Sequence, residues 1–228
     1  MPGSDSKRVG AQETEGKPST DGARPPIADV AAPRPVTRRK ESFQGRVFSI
    51  ATEEVDLGGV TVTRDVLEHP GSVAILPYRE PGEVLMLRQY RHPVRAELWE
   101  PPAGLLDLDG EDPLEAARRE LMEETDHEAA TWHVLADVYS SPGASSEAVR
   151  MYLARDLTPV PEHERHEREA EERDLELRWV PIEEIVEAVS EGRLSSPTSV
   201  IGVLAIEATR ARGWSTLRPA DAPWPRRG

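Results

Sequence analysis

Polar and apolar residues alternate strictly in one early stretch of the chain. Val60, Val62, Arg64 and Val66 interleave with Thr61, Thr63 and Asp65. This period of two predicts a strand over residues 60–67, and Gly58-Gly59 just before it marks a hairpin turn. Residues 73–78 and 84–90 are apolar runs separated by Glu80-Pro81-Gly82, which predicts two strands joined by a turn. The period then changes. Asp112-Pro113 places an N-cap residue before a proline at the first helical position, and a helix is predicted through Leu114, Ala117, Leu121 and Met122 to about Thr125. Residues 132–139 and 148–154 read as strands flanking a loop over 140–147. A strand over 175–180 and helices over 182–189 and 197–211 follow. Strands come in pairs with helices between them, so the fold class is mixed α/β with an antiparallel or mixed sheet.

Composition divides the 228 residues into a core and two tails. Residues 1–42 combine Pro2, Pro18, Pro25, Pro26, Pro33 and Pro35 with very few large apolar side chains. Such a segment cannot bury enough surface to offset the entropy of ordering it, and is expected to be a disordered tail. The cluster Arg38-Arg39-Lys40 reads as its solvated boundary. Residues 213–228, with Pro219, Pro223 and Pro225, are expected to form a second disordered tail, leaving 43–212 as the folded domain. No cysteine is present, which excludes disulfides, thiolate metal sites and a cysteine nucleophile. Apolar runs such as residues 200–206 fall far short of the ~20 residues of a membrane span. The first residues lack the apolar stretch of a secretory signal, so a cytoplasmic protein without membrane partners is expected. With 42 acidic against 28 basic residues the net charge is -14, which argues against a surface for polymeric nucleic acid.

The acidity has one chemically loaded concentration. In Arg118-Arg119-Glu120-Leu121-Met122-Glu123-Glu124, the three glutamates stand at i, i+3 and i+4 and share a helix face. Like charges so placed destabilise a helix by roughly 0.2–0.5 kcal/mol per pair unless a cation sits among them. A hard divalent ion such as Mg²⁺ takes a few carboxylates together with phosphate oxygens. Arg119 can steady a neighbouring carboxylate through its planar fork of donors. On its own this run reads as a solvated helix face. The approach Trp99-Glu100-Pro101-Pro102-Ala103-Gly104-Leu105, with Glu111 eight residues before Arg119, turns the reading towards a metal site.

Gly104, Glu111 and Arg119-Glu120-Leu121-x-Glu123-Glu124 together resemble the Nudix box, G-x5-E-x7-R-E-U-x-E-E-x-G-U. Six residues separate Gly104 from Glu111 where the pattern has five, which lengthens the loop before the helix. Asp126 stands where the pattern has glycine, and His127 where it has an apolar residue. Asp tolerates the left-handed conformation of a helix end, so the carboxylates are expected to be undisturbed. Arg88-Gln89-Tyr90-Arg91, the Trp99–Leu105 stretch and Ser141-Pro142-Gly143, with Pro142 fifteen residues past His127, are similar to the ADP-ribose pyrophosphatase branch.

This resemblance implies a Nudix-type α/β/α sandwich with an N-terminal antiparallel strand region. It implies Mg²⁺-dependent cleavage (Mn²⁺ as the substitute) of a small nucleoside diphosphate, ADP-ribose, to AMP and ribose 5-phosphate. Glu120, Glu124 and the carbonyl of Ala103 are implied metal ligands, with Glu123 a bridging or neighbouring one and Arg119 supporting them. Aligned on Trp179, Glu172 matches the general base carried on a loop, with Glu171 the neighbouring alternative. Arg64, Arg91, Leu105, Pro142 and Gly143 match positions that meet the substrate, although either arginine can equally form a surface ion pair. His163 and His166 read as surface residues. Phe48 is the aromatic nearest the position that stacks on adenine, and reads more readily as a buried core residue. The branch commonly exchanges N-terminal strands across a homodimer, in which Arg64 would serve the partner's site. Rival readings are a hydrolase for another substrate, such as GDP-mannose or an oxidised nucleotide, a non-catalytic ADP-ribose sensor, and a structural protein with a solvated acidic helix.

Overall fold

Strand parity decides the architecture. A computed structural model of the chain describes residues 26–167 and 175–224. The described residues 26–33 belong to a unit separate from the rest of the chain and have no helix or strand. From Arg34 onward the chain forms β1 (Val36–Gln44), β2 (Ser49–Asp56), β3 (Thr61–Glu68), β4 (Ser72–Arg79), β5 (Glu83–Arg91), β6 (Ala96–Glu100) and β7 (Ala103–Leu105). Next come α1 (Pro113–Thr125), β8 (His127–Tyr139), β9 (Ala148–Pro159), β10 (Glu176–Pro181), α2 (Ile182–Ser190), α3 (Pro197–Arg210) and β11 (Arg218–Pro219).

Along β4, Val73 and Ile75 pack with Ala116, Ala117 and Leu121 of α1. Ala74, Leu76 and Tyr78 pack on the other face with Ile182 and Ile185 of α2 and Val203 and Ile206 of α3. On β9, Tyr152 and Ala154 join the α1 side, while Val149, Met151 and Leu153 join the other. Alternate side chains of a strand point to opposite faces, so helices cover both sides of the sheet in an α/β/α sandwich. Burial on both faces also explains why β4 and β5 read as continuous apolar runs instead of alternating ones. The sheet order is β10-β5-β4-β9-β8-β11, with β6 on β5 and β7 on β4. Its β4–β9 pair is parallel and its other pairs are antiparallel, as a mixed sheet requires. Among the described residues no helix is long and apolar enough to cross a membrane.

β1, β2 and β3 make a separate antiparallel sheet. The turn between β2 and β3 is the predicted Gly58-Gly59, whose two amides donate to the Asp56 side chain at 2.8 and 3.0 Å. The expected boundary at residue 42 falls inside β1. Arg38 pairs with Glu54 at 3.3 Å, and Arg39 with Glu53 at 2.6 Å and with Glu68. The basic cluster is therefore one half of a set of cross-strand ion pairs, and opposite charges facing one another stabilise a strand that buries little. Phe48 is not a buried core residue. It is 37% exposed, since its ring neighbour at 6.2 Å, Phe43, is itself exposed and covers it only in part.

The expected C-terminal tail is folded as far as residue 224. Trp214 packs edge-on to Tyr78 at 5.2 Å, and β11 pairs with β8. Arg150, 3% exposed, donates to the carbonyls of Ala222 at 2.7 Å and Pro223 at 3.1 Å, and Trp224 lies 4.9 Å from its guanidinium. A buried guanidinium requires such acceptors, and the proline-rich segment supplies them as backbone carbonyls.

Candidate active site

The site grows from α1. The Asp112 side chain accepts the Leu114 amide at 2.8 Å, and Pro113 follows at the first helical position, so the helix begins where predicted. Ala116, Ala117 and Leu121 are buried against the sheet. At the far end Asp126 adopts the left-handed conformation (φ 56°, ψ 35°) and donates its amide to Met122. The aspartate thus caps the helix in the place of the pattern's glycine. His127 fills the apolar slot with its ring, edge-on to Trp179 at 6.0 Å.

Arg119 organises the carboxylates. Its Nε and Nη2 donate to the two oxygens of Glu111, each at 3.1 Å. Its Nη1 donates to Glu120 at 2.6 Å and to Glu123 at 3.3 Å. The Glu111 carboxylate first, and Glu120 after it, raise the Arg119 guanidinium above the ordinary arginine value against the opposing effect of burial. One cation thus gathers three anions, and the net charge of the cluster remains negative.

Glu124 is 6% exposed and accepts the backbone N–H of Ala103 at 2.9 Å. This bond ties α1 to β7, which is itself held on β4 by the Ala74–Ala103 pairing and by a 2.8 Å bond from the Ile75 amide to the Pro102 carbonyl. Gly104 follows. A Cβ built there would fall inside the Glu120 carboxyl group, so only glycine leaves Glu120 its place. The donor set of Glu120, Glu123, Glu124 and the Ala103 backbone is all oxygen, and Gly104 leaves the Glu120 carboxyl the space it occupies. That chemistry fits a hard divalent cation. Among the described residues, no three acidic or histidine side chains stand converged as a metal site, since Glu120 is turned onto Arg119 and Glu124 onto the Ala103 amide.

Beside this assembly lies a cleft of about 470 Å³ whose walls include Arg91, Glu100, Ala103, Gly104, Leu105 and Ser196. Of the sequence-derived substrate residues, Arg91 and Leu105 meet here. Arg91 Nε donates to the buried Glu100 at 2.7 Å. Pro142 and Gly143 belong to the loop over 140–147, which docks on the end of β3 through a 2.8 Å bond from the Leu67 amide to the Ala144 carbonyl and a 2.9 Å bond from the Ser146 amide to the Leu67 carbonyl. The ends of that loop, Ser140 and Glu147, line the cleft. Arg64 is not among the lining residues. It lies opposite Glu53 on the outer sheet, and its guanidinium bonds the Thr63 carbonyl at 2.9 Å. Glu172 and Glu171 lie outside the described residues. His163 and His166 are exposed, and His163 pairs with Glu164 at 3.1 Å. Glu100 belongs to the Trp99–Leu105 stretch of the resemblance but has no assigned role there. Its signal is an acid within Leu98-Trp99-Glu100-Pro101, a stretch otherwise suited to burial.

Comparison with known proteins gives concordant results. The NUDIX domain family model matches residues 68–197. The ADP-ribose pyrophosphatase of Mycobacterium tuberculosis (strain ATCC 25618 / H37Rv) is 42% identical over 181 residues, 79% of this chain and 86% of that protein. The ADP-ribose pyrophosphatase of Bacillus subtilis (strain 168) is 34% identical over 153 residues, 66% of this chain and 80% of that protein. Among solved structures, the crystal structure of an ADP compounds hydrolase superposes with a TM-score of 0.66 at 19% identity, covering 82% of this chain and 99% of that one. This last likeness shows the fold.

Proposed function

The chain belongs to the NUDIX-domain family, and from that premise we propose that it is a hydrolase that cleaves the pyrophosphate of ADP-ribose to AMP and ribose 5-phosphate. Hydrolases of this family generally work with a divalent metal ion, and we assign Mg²⁺, with Mn²⁺ as its substitute. The observation that carries the reading is the junction of two features. The carboxylate cluster gathered by Arg119 sits beside Gly104, and Gly104 also lines the cleft that holds Arg91 and Leu105.

Each residue then has a task. Glu120, Glu124, Glu123 and the Ala103 carbonyl would hold the cation. A divalent ion bound there supplies positive charge to the diphosphate and acidity to an attacking water. Arg119 keeps Glu120 and Glu123 from repelling one another and fixes their orientation. Arg91 offers its fork to phosphate oxygens, and Leu105 packs beside the ribose. Pro142 and Gly143 border the substrate from the loop over 140–147. Glu172, or Glu171 beside it, takes the proton from the attacking water as general base. We also propose a homodimer with exchanged N-terminal strands, in which Arg64 reaches the partner's cleft, and a cytoplasmic location.

The deciding experiment incubates the purified protein with ADP-ribose and Mg²⁺ and measures AMP. Release of AMP with ribose 5-phosphate supports the assignment. Tight ADP-ribose binding without AMP would identify a sensor, and cleavage of GDP-mannose in preference to ADP-ribose would reassign the substrate.

A further inference from the structure

Ser196 occupies the N-cap position of α3, with extended backbone angles and Pro197 behind it, yet its side chain makes no capping bond to its own helix. N-cap serines ordinarily accept an amide of the first turn, a bond whose loss costs about 1 kcal/mol. Here the hydroxyl is directed elsewhere. Ser196 Oγ donates to Glu100 Oε1 at 2.8 Å, across 96 positions of sequence. Thr198 Oγ1 lies 3.0 Å from Ser196 Oγ. A serine hydroxyl has one proton, and the Glu100 carboxylate takes it, so the Thr198 hydroxyl must donate into Ser196. The other oxygen of Glu100 accepts Arg91 Nε at 2.7 Å. The chain of bonds runs Thr198 to Ser196 to Glu100, where it meets Arg91, whose guanidinium lines the cleft.

Ser196 is 2% exposed and Glu100 7%, so neither is free to reorient into water. With both carboxylate oxygens engaged, Glu100 is held in place, and Arg91 Nε is anchored on a fixed acceptor. With Nε so occupied, the Nη groups are the ones left for a ligand. The preorganised fork of an arginine loses its advantage when its plane is free to swing. We infer that Ser196 is a positioning residue for substrate binding, acting through Glu100 to aim Arg91 at the diphosphate. This rests on the proposed role of Arg91 in nucleoside diphosphate binding.

A purely structural role is the competing explanation, and the neighbouring serine provides the control. Ser199 Oγ donates to the Trp99 carbonyl at 2.6 Å, fastening the same helix turn to the same strand without touching Glu100. Steady-state kinetics with ADP-ribose are compared for wild type, Ser196→Ala, Ser196→Thr, Glu100→Gln and Ser199→Ala. Ser196→Ala is expected to raise KM roughly 5- to 10-fold, the scale of one lost hydrogen bond, with kcat within about twofold. Ser196→Thr keeps the hydroxyl and is expected to hold KM near wild type. Glu100→Gln is expected to raise KM at least as far as Ser196→Ala, and Ser199→Ala to lower Tm with KM unchanged. The inference is overturned if Ser196→Ala keeps the wild-type KM, if Thr is as defective as Ala, or if Ser199→Ala raises KM equally. The Kd for ADP, measured by calorimetry on the same proteins, should follow the same order without any turnover. A wild-type protein that binds ADP but releases no AMP from ADP-ribose would thus sink the functional reading while the order of Kd values still decides the role of Ser196. A wild-type protein that does not bind ADP would overturn the inference itself.

Discussion

Gly104 and Glu120 share one space: the carboxyl group of Glu120 lies where any other residue at 104 would place its Cβ. Gly104→Ala must therefore push Glu120 aside. The displaced group is the end of a flexible side chain, so the fold should survive with Tm lowered by no more than a few degrees. Turnover of ADP-ribose should fall at least about 10-fold, since outer-sphere disturbance of a metal site alone costs roughly 10–100-fold. Wild-type kcat in Gly104→Ala would show that Glu120 has no role in the chemistry.

Glu124→Gln is expected to remove measurable turnover. The amide can still accept the Ala103 N–H through its oxygen, so β7 should stay in place, but a neutral group is a far weaker ligand for a hard divalent cation. Mg²⁺ titration followed by calorimetry should show weakened binding, with near-normal thermal stability in the absence of metal.

Arg119→Lys keeps the charge and loses the fork. The two parallel bonds to Glu111 cannot both be made, and the bonds to Glu120 and Glu123 compete for one ammonium. A loss of about 1–2 kcal/mol is expected for a partly buried set of charge-assisted bonds. For a chain of this size that corresponds to a Tm roughly 2–8 °C lower, readable by calorimetry. An unchanged Tm would mean that the helix does not need the clamp.

Glu172→Gln is expected to lower kcat about 10²- to 10⁴-fold while leaving KM nearly unaltered, the signature of a lost general base. Wild-type kcat in this variant would move the assignment to Glu171, which Glu171→Gln then tests.

His133 gives a stability prediction with a definite sign. Burial, and secondarily Arg155, lower its pKa below the usual imidazole value, and its Nδ1 is buried without a partner. The unfolded chain protonates this residue near the ordinary value of about 6.5. Between that value and the lower folded one, the unfolded chain binds more protons, so stability falls as the pH falls through the window. His133→Phe should flatten the dependence of unfolding free energy on pH just below about pH 6.5. A slope identical to wild type would remove His133 as its source.

The legible parts of the molecule are those whose determinants are local. α1 announces itself through Asp112-Pro113 and the spacing of Ala117 and Leu121, and its glutamates follow from the same period. The left-handed Asp126 was likewise foreseeable from its side chain. What escaped depends on partners distant in sequence. Composition marked residues 36–42 as the end of a disordered tail because it counts apolar side chains and cannot see that Glu53 and Glu54 face Arg39 and Arg38. Glu100 had no assigned role because one of its partners, Ser196 at the start of α3, lies 96 positions on. Arg64 matched the family position, yet the cleft within one chain does not include it, since the pairing of β2 with β3 places it on the outer sheet opposite Glu53.

Arg150 also bears on how this chain is made. The guanidinium is enclosed by β8 and β9, but two of its acceptors, Ala222 and Pro223, are synthesised 72 and 73 residues after it. On a ribosome adding roughly 5–20 residues per second, that separation leaves the buried cation short of acceptors for several seconds. During that interval Asp137, at 2.8 Å, is the partner already synthesised. A nascent chain stalled before residue 218 should therefore hold an unfinished sheet, open to chaperone capture at the edge that β11 later closes.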